Sequence, residues 1–273
     1  MLPRRKTSRS GMSKYFCILS KTFQSNLVYR ASIIWTMFFR SLSFLFQYFL
    51  WKSLIGSGVY KGITLNDMIF YTMLTTLVGS LSFSPVADEL ESQVRDGSVI
   101  MNFLRPISFK LNCLFSSFGD NLFFVATQVV PVYIIGAIAI GIPAPANALQ
   151  GFYFAISVIM GFLISFEVRY VVGLLAFWLQ KTWYLYWYLD FGLILFGGTL
   201  IPLWFFTDFW VKASYFLPFR YISYDAINIY LGKIADVNIA YSLSGSLAWL
   251  VILFLIENAV WKMAQKKLCV NGG

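Results

Sequence analysis

Histidine is absent from all 273 residues. Its absence removes imidazole general bases, His-based triads, His metal sites and His proton relays together. Cysteine is almost as scarce: Cys17, Cys113 and Cys269 stand far apart and form no CxxC pair. No metal site is expected. No GxxxxGK[ST] loop is present, so the chain does not bind and hydrolyse ATP by that device. Charge is scarce too, at 12% of residues, against about 25% in an ordinary soluble domain.

Apolar surface is abundant instead. Hydrophobic residues make up 59% of the chain and aromatic ones 19%, and mean hydropathy is +0.70. Such a composition belongs to a polytopic membrane protein, with the bilayer as its first partner. A helical span needs roughly 20 mainly apolar residues. Backbone groups in lipid must pair internally, and the alternation of barrel strands is missing, so an all-α fold is expected. The net charge of +9 does not point to nucleic acid, since no basic folded domain exists to hold it. Basic residues of membrane proteins gather on the cytosolic side, against anionic headgroups.

Read in order, residues 1–13 form a basic cytosolic tail. Lys14 to Arg30 is amphipathic, with Tyr15, Ile18, Leu19, Thr22 and Phe23 near helical spacing. It reads as a helix in the cytosolic interface, or as the start of the first span. Six spans follow, at about 31–51, 65–84, 113–140, 150–179, 184–201 and 239–261. Pro85 ends the second, and Pro131 is placed to kink the third. Gly141 to Asn147 reads as an outer turn and Gln180–Thr182 as an inner one. Residues 203–237 are aromatic but interrupted by Asp208, Lys212, Pro218, Arg220, Asp225 and Lys233. They read as two short helices dipping into the outer leaflet, with Pro218 between them. Residues 268–273 are a second cytosolic tail.

Charge bias sets the orientation. Arg4, Arg5, Lys6, Arg9, Lys14, Lys21, Arg30, Arg95, Arg105, Lys110, Lys181, Lys262, Lys266 and Lys267 fall on inner segments. Only Lys52, Lys61, Lys212, Arg220 and Lys233 fall on outer ones. Both termini are therefore expected in the cytosol, where the three thiols stay reduced. No internal repeat of the secondary-transporter kind is visible.

A charge at mid-membrane depth costs about 2.5–3.5 kcal/mol on insertion scales and needs a reason. Thr36, Arg40, Ser43 and Gln47 follow helical spacing and draw one polar stripe along the first span. The stripe reads as a pathway lining or a subunit contact; the plainer reading has Arg40 snorkelling to a headgroup. Glu167 and Arg169 in the fourth span lie two apart and face different ways. Asp120 and Asp190 are candidate partners for the arginines, and Arg40 is expected against Glu167 or Asp190. Ser and Thr residues without a His or a deep Lys supply no activated nucleophile.

Residues 85–112, PVADELESQVRDGSVIMNFLRPISFKLN, cannot sit in lipid. They hold Asp88, Glu89, Glu91 and Asp96, four of the twelve acidic residues. Ala87, Leu90 and Val94 form an apolar edge at i, i+3 and i+7, with Glu89, Glu91 and Gln93 expected to face away. Gly97 is placed to stop this helix, and a second apolar turn from Val99 to Leu104 closes at Arg105-Pro106. A short helix with an apolar edge and a charged flank suits docking into a groove on a soluble partner.

Four stretches resemble the permeases of type-2 ABC transporters, across about residues 14–267. They are NLVYRASIIWTMFFRSLSFLFQYFLWKSLIG; ELESQVRDGSVIMNFLRPIS, similar to that family's acidic–Gly–Leu–Pro loop; RYVVGLLAFWLQ; and GGTLIPLWFF followed by YFLPFRYISYDAINIYLGK, which resembles its outer re-entrant segment. The closest likeness is to the subgroup with paired permease chains. The resemblance implies a pair of six-span chains, identical or different, above two cytosolic ABC ATPase subunits. ATP and Mg would be bound in those subunits and no cofactor in this chain. Residues 85–112 would be the coupling segment, with Glu89, Glu91, Val94, Arg95, Asp96, Gly97, Leu104, Arg105 and Pro106 at its contacts. Thr36, Arg40, Ser43, Gln47, Glu167, Arg169 and Asp190 would be pathway or intramembrane polar residues. The activity implied is export of an amphipathic or hydrophobic substrate by alternating access, with no bond made or broken here. Arg40 departs from the small or apolar residue of the family pattern, which argues for an anionic group or a different permease partner at that point. The alternatives from other classes are a secondary transporter and an intramembrane lipid-modifying enzyme.

Overall fold

A computed structural model describes residues 11–28, 30–56, 63–103, 107–179, 181–234 and 236–271. Helices and the turns between them account for these residues, and no β-strand occurs among them. The first two helices are α1 (Gly11–Asn26) and α2 (Arg30–Ile55). Next come α3 (Leu65–Leu81), α4 (Val86–Arg95) and α5 (Val99–Phe103). The third long rod is α6 (Phe109–Phe124) continued by α7 (Val130–Ala139), and the fourth is α8 (Ala148–Leu174). Then follow α9 (Trp183–Phe196), the short helices α10 (Asp208–Ser214), α11 (Pro218–Ile222) and α12 (Tyr224–Tyr230), and α13 (Asp236–Asn271).

Among the described residues, five helical stretches are long and apolar enough to cross a membrane: Ala31–Ile55, Leu65–Arg95, Phe109–Ala139, Ala148–Phe177 and Asn238–Lys267. The chain is a multi-pass membrane protein. The remaining expected span, 184–201, differs in form. Its helix α9 has 14 residues and ends at Gly197 and Gly198. Gly198 has φ +63°, a left-handed conformation that glycine adopts without a Cβ clash. The Tyr71 hydroxyl donates to Gly198 O at 2.7 Å and the Ser223 hydroxyl to Gly197 O at 2.8 Å. The carbonyls released where the helix stops are thereby satisfied.

Local chemistry sets the other boundaries. Thr64 and Asp67 form a reciprocal capping box at the start of α3, and the Asn147 side chain accepts from Gln150 N–H at 2.7 Å to start α8. Between α6 and α7 the chain makes one π-helical turn, Val125–Val129. Pro131 has no N–H to give, and the ladder slips by one residue just before it, where a π-bulge absorbs the lost bond. The region after α9 departs from the expected pair of short helices. It holds a 3₁₀ turn, Leu203–Phe205, and three short helices, with Pro218 as the first residue of α11 and Ser223 separating α11 from α12.

The helix α8 is the axis of the packing, with α13, α4, α11 and α12 against it. Two glycines make notches along it. A Cβ on Gly173 would lie 2.7 Å from Leu90 Cδ1, and one on Gly161 would lie 2.6 Å from Ile222 O. Small residues let helices approach closely where apolar lipid gives no net drive for association. Around the first notch Val86, Leu90, Phe109, Phe166, Tyr170 and Leu174 form a buried cluster. The helix α2 behaves differently. Ile34, Trp35, Phe38, Phe39, Phe46 and Phe49 all stand exposed along it.

Candidate functional site

The residues of α4 that the sequence singled out divide by face. Ala87 and Leu90 are buried and Val94 packs beside them, as the apolar edge requires. Arg95 and Asp96 are exposed and Glu89 is half-buried. Gly97 has φ +71° and its N–H returns to Val94 O at 3.3 Å, a left-handed stop just past the helix. Leu104, Arg105 and Pro106 lie outside the described residues.

Glu91 corrects the expectation that it faces away. It is 9% exposed. It sits one turn after Ala87 and so shares the face that Ala87 and Leu90 bury; polarity had hidden this. Its Oε2 accepts from Thr182 N–H at 2.8 Å and from the Thr182 hydroxyl at 2.6 Å. Tyr186 Oη lies 3.1 Å from the same oxygen and 2.9 Å from Ala87 O, and it also meets Thr182 Oγ1. Arg95 approaches the other oxygen at 3.8 Å. Thr182 and Tyr186, four residues apart at the head of α9, thus clasp a carboxylate from α4. Charge-assisted bonds of this kind contribute about 1.5–3 kcal/mol each.

The stripe on α2 is brought together, but without the expected carboxylates. Thr36, Arg40 and Ser43 line a cavity of 400 Å³ with Gln128. Ser43 and Gln47 continue into a second of 830 Å³, walled by Phe46, Leu50, Leu200, Ile201 and Phe205. Arg40 is exposed and donates from Nε to Gln128 Oε1 at 2.9 Å. Neither Glu167 nor Asp190 meets it, because each is held by another cation. Arg169 pairs with Asp190 at 2.5 Å, linking α8 to α9 as the sequence allowed. Asp120 accepts from Asn26 of α1 at 2.6 Å, not from an arginine.

Glu167 pairs with Lys110 at 2.6 Å, and Lys110 also holds Glu257 at 3.0 Å. One ammonium on α6 therefore joins α8 and α13. The sequence places Lys110 in the polar segment, Thr182 in the inner turn and Tyr186 among interfacial aromatic residues, and singles out neither Glu257 nor Gln128. Lys110 is the second residue of α6, and its four-carbon stem reaches into the bundle. The i,i+4 spacing of Thr182 and Tyr186 is the one sequence signal that joins these two.

A family model described as "ABC-2 family transporter protein" matches residues 37–272. The chain belongs to the ABC-2 transporter family. The match takes in α3 to α13 and most of α2, so Arg40, Ser43 and Gln47 of the stripe, the Glu91 clasp and the Lys110 centre lie within the family's own domain, and Thr36 stands just before it. ABC-2 membership makes this a membrane component of a transporter and implies an ABC ATPase partner. None of the curated proteins compared matches the chain.

Proposed function

We propose that this ABC-2 protein is the permease subunit of an exporter driven by two separate ATPase subunits, which bind ATP and Mg. The observation that carries the reading is the clasp on Glu91. A helix whose carboxylate is gripped by the first turn of α9 cannot shift without pulling α9 with it. Docking of an ATPase under α4 would therefore act directly on that helix. Glu89, Arg95 and Asp96, with Leu104, Arg105 and Pro106 following in sequence, form the docking edge, while Val94 and Gly97 hold its shape.

In this reading α2, α3, α6–α7, α8, α9 and α13 give six crossings of the cytoplasmic membrane, with both termini in the cytosol. The break at Gly197-Gly198 ends α9 short, and α10–α12 form the outer re-entrant segment. The orientation rests on the excess of basic residues at the α4 end. The open apolar face of α2 takes a second permease chain. The stripe Thr36–Arg40–Ser43–Gln47, with its two cavities, becomes the pathway between the chains. An amphipathic substrate suits it, since apolar walls flank one guanidinium. Glu167, Arg169 and Asp190 serve as ion pairs that hold α8 to α6, α9 and α13.

The test is to express the chain with its candidate ATPase, reconstitute the complex and weigh it. The proposal expects two permease chains with two ATPases, and ATP hydrolysis that rises with transported substrate. Transport driven by an ion gradient without ATP, or covalent turnover by this chain alone, would overturn it.

A further inference from the structure

At the end of the bundle away from α4 lies a cavity of 860 Å³. Its walls come from the 3₁₀ turn, α10, α11, α12 and the first turns of α13, so it is separate from the α2 stripe. A volume of this size is in the range of small-molecule sites. Two cations reach it, Arg220 and Lys233, and four rings surround them, Trp204, Tyr215, Tyr224 and Tyr241.

Arg220 is 5% exposed and rigidly placed. Its Nε donates to Asp225 Oδ1 at 2.8 Å and its Nη1 to Ser214 Oγ at 3.0 Å. Its guanidinium carbon lies 3.7 Å from the Tyr215 ring centre and 5.1 Å from that of Tyr224. Asp225 is consumed by this work, since its second oxygen accepts from the Ser242 hydroxyl at 2.7 Å. Burial raises the Tyr224 phenol to about 12. Lys233 stands 4.7 Å over the Trp204 ring and meets Asp67 at 3.4 Å. Asp67 takes one of the three ammonium donors, so the others remain for a further acceptor.

We propose that this cavity binds an organic anion with a planar apolar body, its charge taken by Lys233 and Arg220 and its body by the tyrosine and tryptophan rings. Aromatic faces and pre-placed cations make the site selective for charge sign as well as shape. An anionic lipid headgroup shares the charge but not the planar body, and the test separates the two.

The full chain is placed in phosphatidylcholine nanodiscs and titrated with 5-carboxyfluorescein and with rhodamine 123, read by fluorescence anisotropy. The two dyes share a xanthene body and carry opposite charge. Saturable binding of carboxyfluorescein is expected, at least tenfold tighter than that of rhodamine 123. Lys233→Gln, a variant at a partly exposed side chain, should weaken carboxyfluorescein about tenfold, the equivalent of about 1.4 kcal/mol. Tyr241→Ala, at the exposed rim, should weaken it as well with folding intact. Equal affinity for both dyes, or undiminished carboxyfluorescein binding in Lys233→Gln, would overturn the site. In discs containing phosphatidylglycerol, retention of the dye supports a soluble planar anion, whereas displacement would show that a headgroup without a planar body takes the site and would overturn the proposal.

Discussion

Two buried carboxylates with different partners show how charge is used in a chain that has little of it. Glu91 is stabilised by hydroxyls and one N–H, Glu167 by an ammonium it shares with Glu257. Their failures should differ. Thr182→Val removes one donor to Glu91 and should cost about 1–3 kcal/mol. Combined with Glu91→Gln, the two losses should fall well short of additive in a double-mutant cycle followed by thermal unfolding, because both variants break one network. Lys110→Met should cost more, about 3–5 kcal/mol, since it strands two buried carboxylates. Adding Glu167→Gln and Glu257→Gln to it should recover most of the loss; no recovery would mean that Lys110 acts through packing alone. These partners were hard to see in advance. The sequence showed Glu167 as a charge in need of a counterion, but pairs that join residues 110, 167 and 257 leave no local spacing to read.

Among the elements, helices with a strong periodic signal were legible and those shaped by tertiary contacts were not. The long rods α2, α3, α8 and α13 follow from apolar length, and α4 follows from Ala87, Leu90 and Val94. Gly97 ends α4 where its residue type said it would. The shortness of α9 was hidden, because residues 184–201 are apolar apart from Asp190 and Thr199 and only Gly197-Gly198 mark the break. Likewise, the division of α11 from α12 at Ser223 has no turn residue to announce it. The role of Gly173 is a matter of space, since Leu90 and Ala87 occupy the room a side chain would need. Gly173→Leu should lift α4 from α8. Cysteines introduced at Ser92 and Lys181 would report this by labelling faster than in the parent, with membrane insertion unchanged. Unaltered labelling would mean that α4 is held by Glu91 alone.

For the molecule as a whole, the packing around α8 explains how distant parts could move together. The α4 notch at Gly173 and the α11 notch at Gly161 lie on one rigid helix, and Arg169 ties that helix to α9. The helix α2 stands apart, exposing a row of large apolar side chains. A cysteine at Phe46 should cross-link two copies, or this chain to its permease partner, in native membranes. Absence of any permease cross-link along α2, tested also at Phe39 and Phe49, would remove the paired pathway. The most direct test of the account is the coupling of the reconstituted complex when the charges of α4 are exchanged, as Glu91→Lys with Arg95→Glu. The clasp at Thr182 cannot hold an ammonium, so all helices should remain inserted while ATP hydrolysis no longer rises with substrate and transport stops. Normal assembly with fully coupled transport in that double variant would contradict the central claim that α4 drives α9.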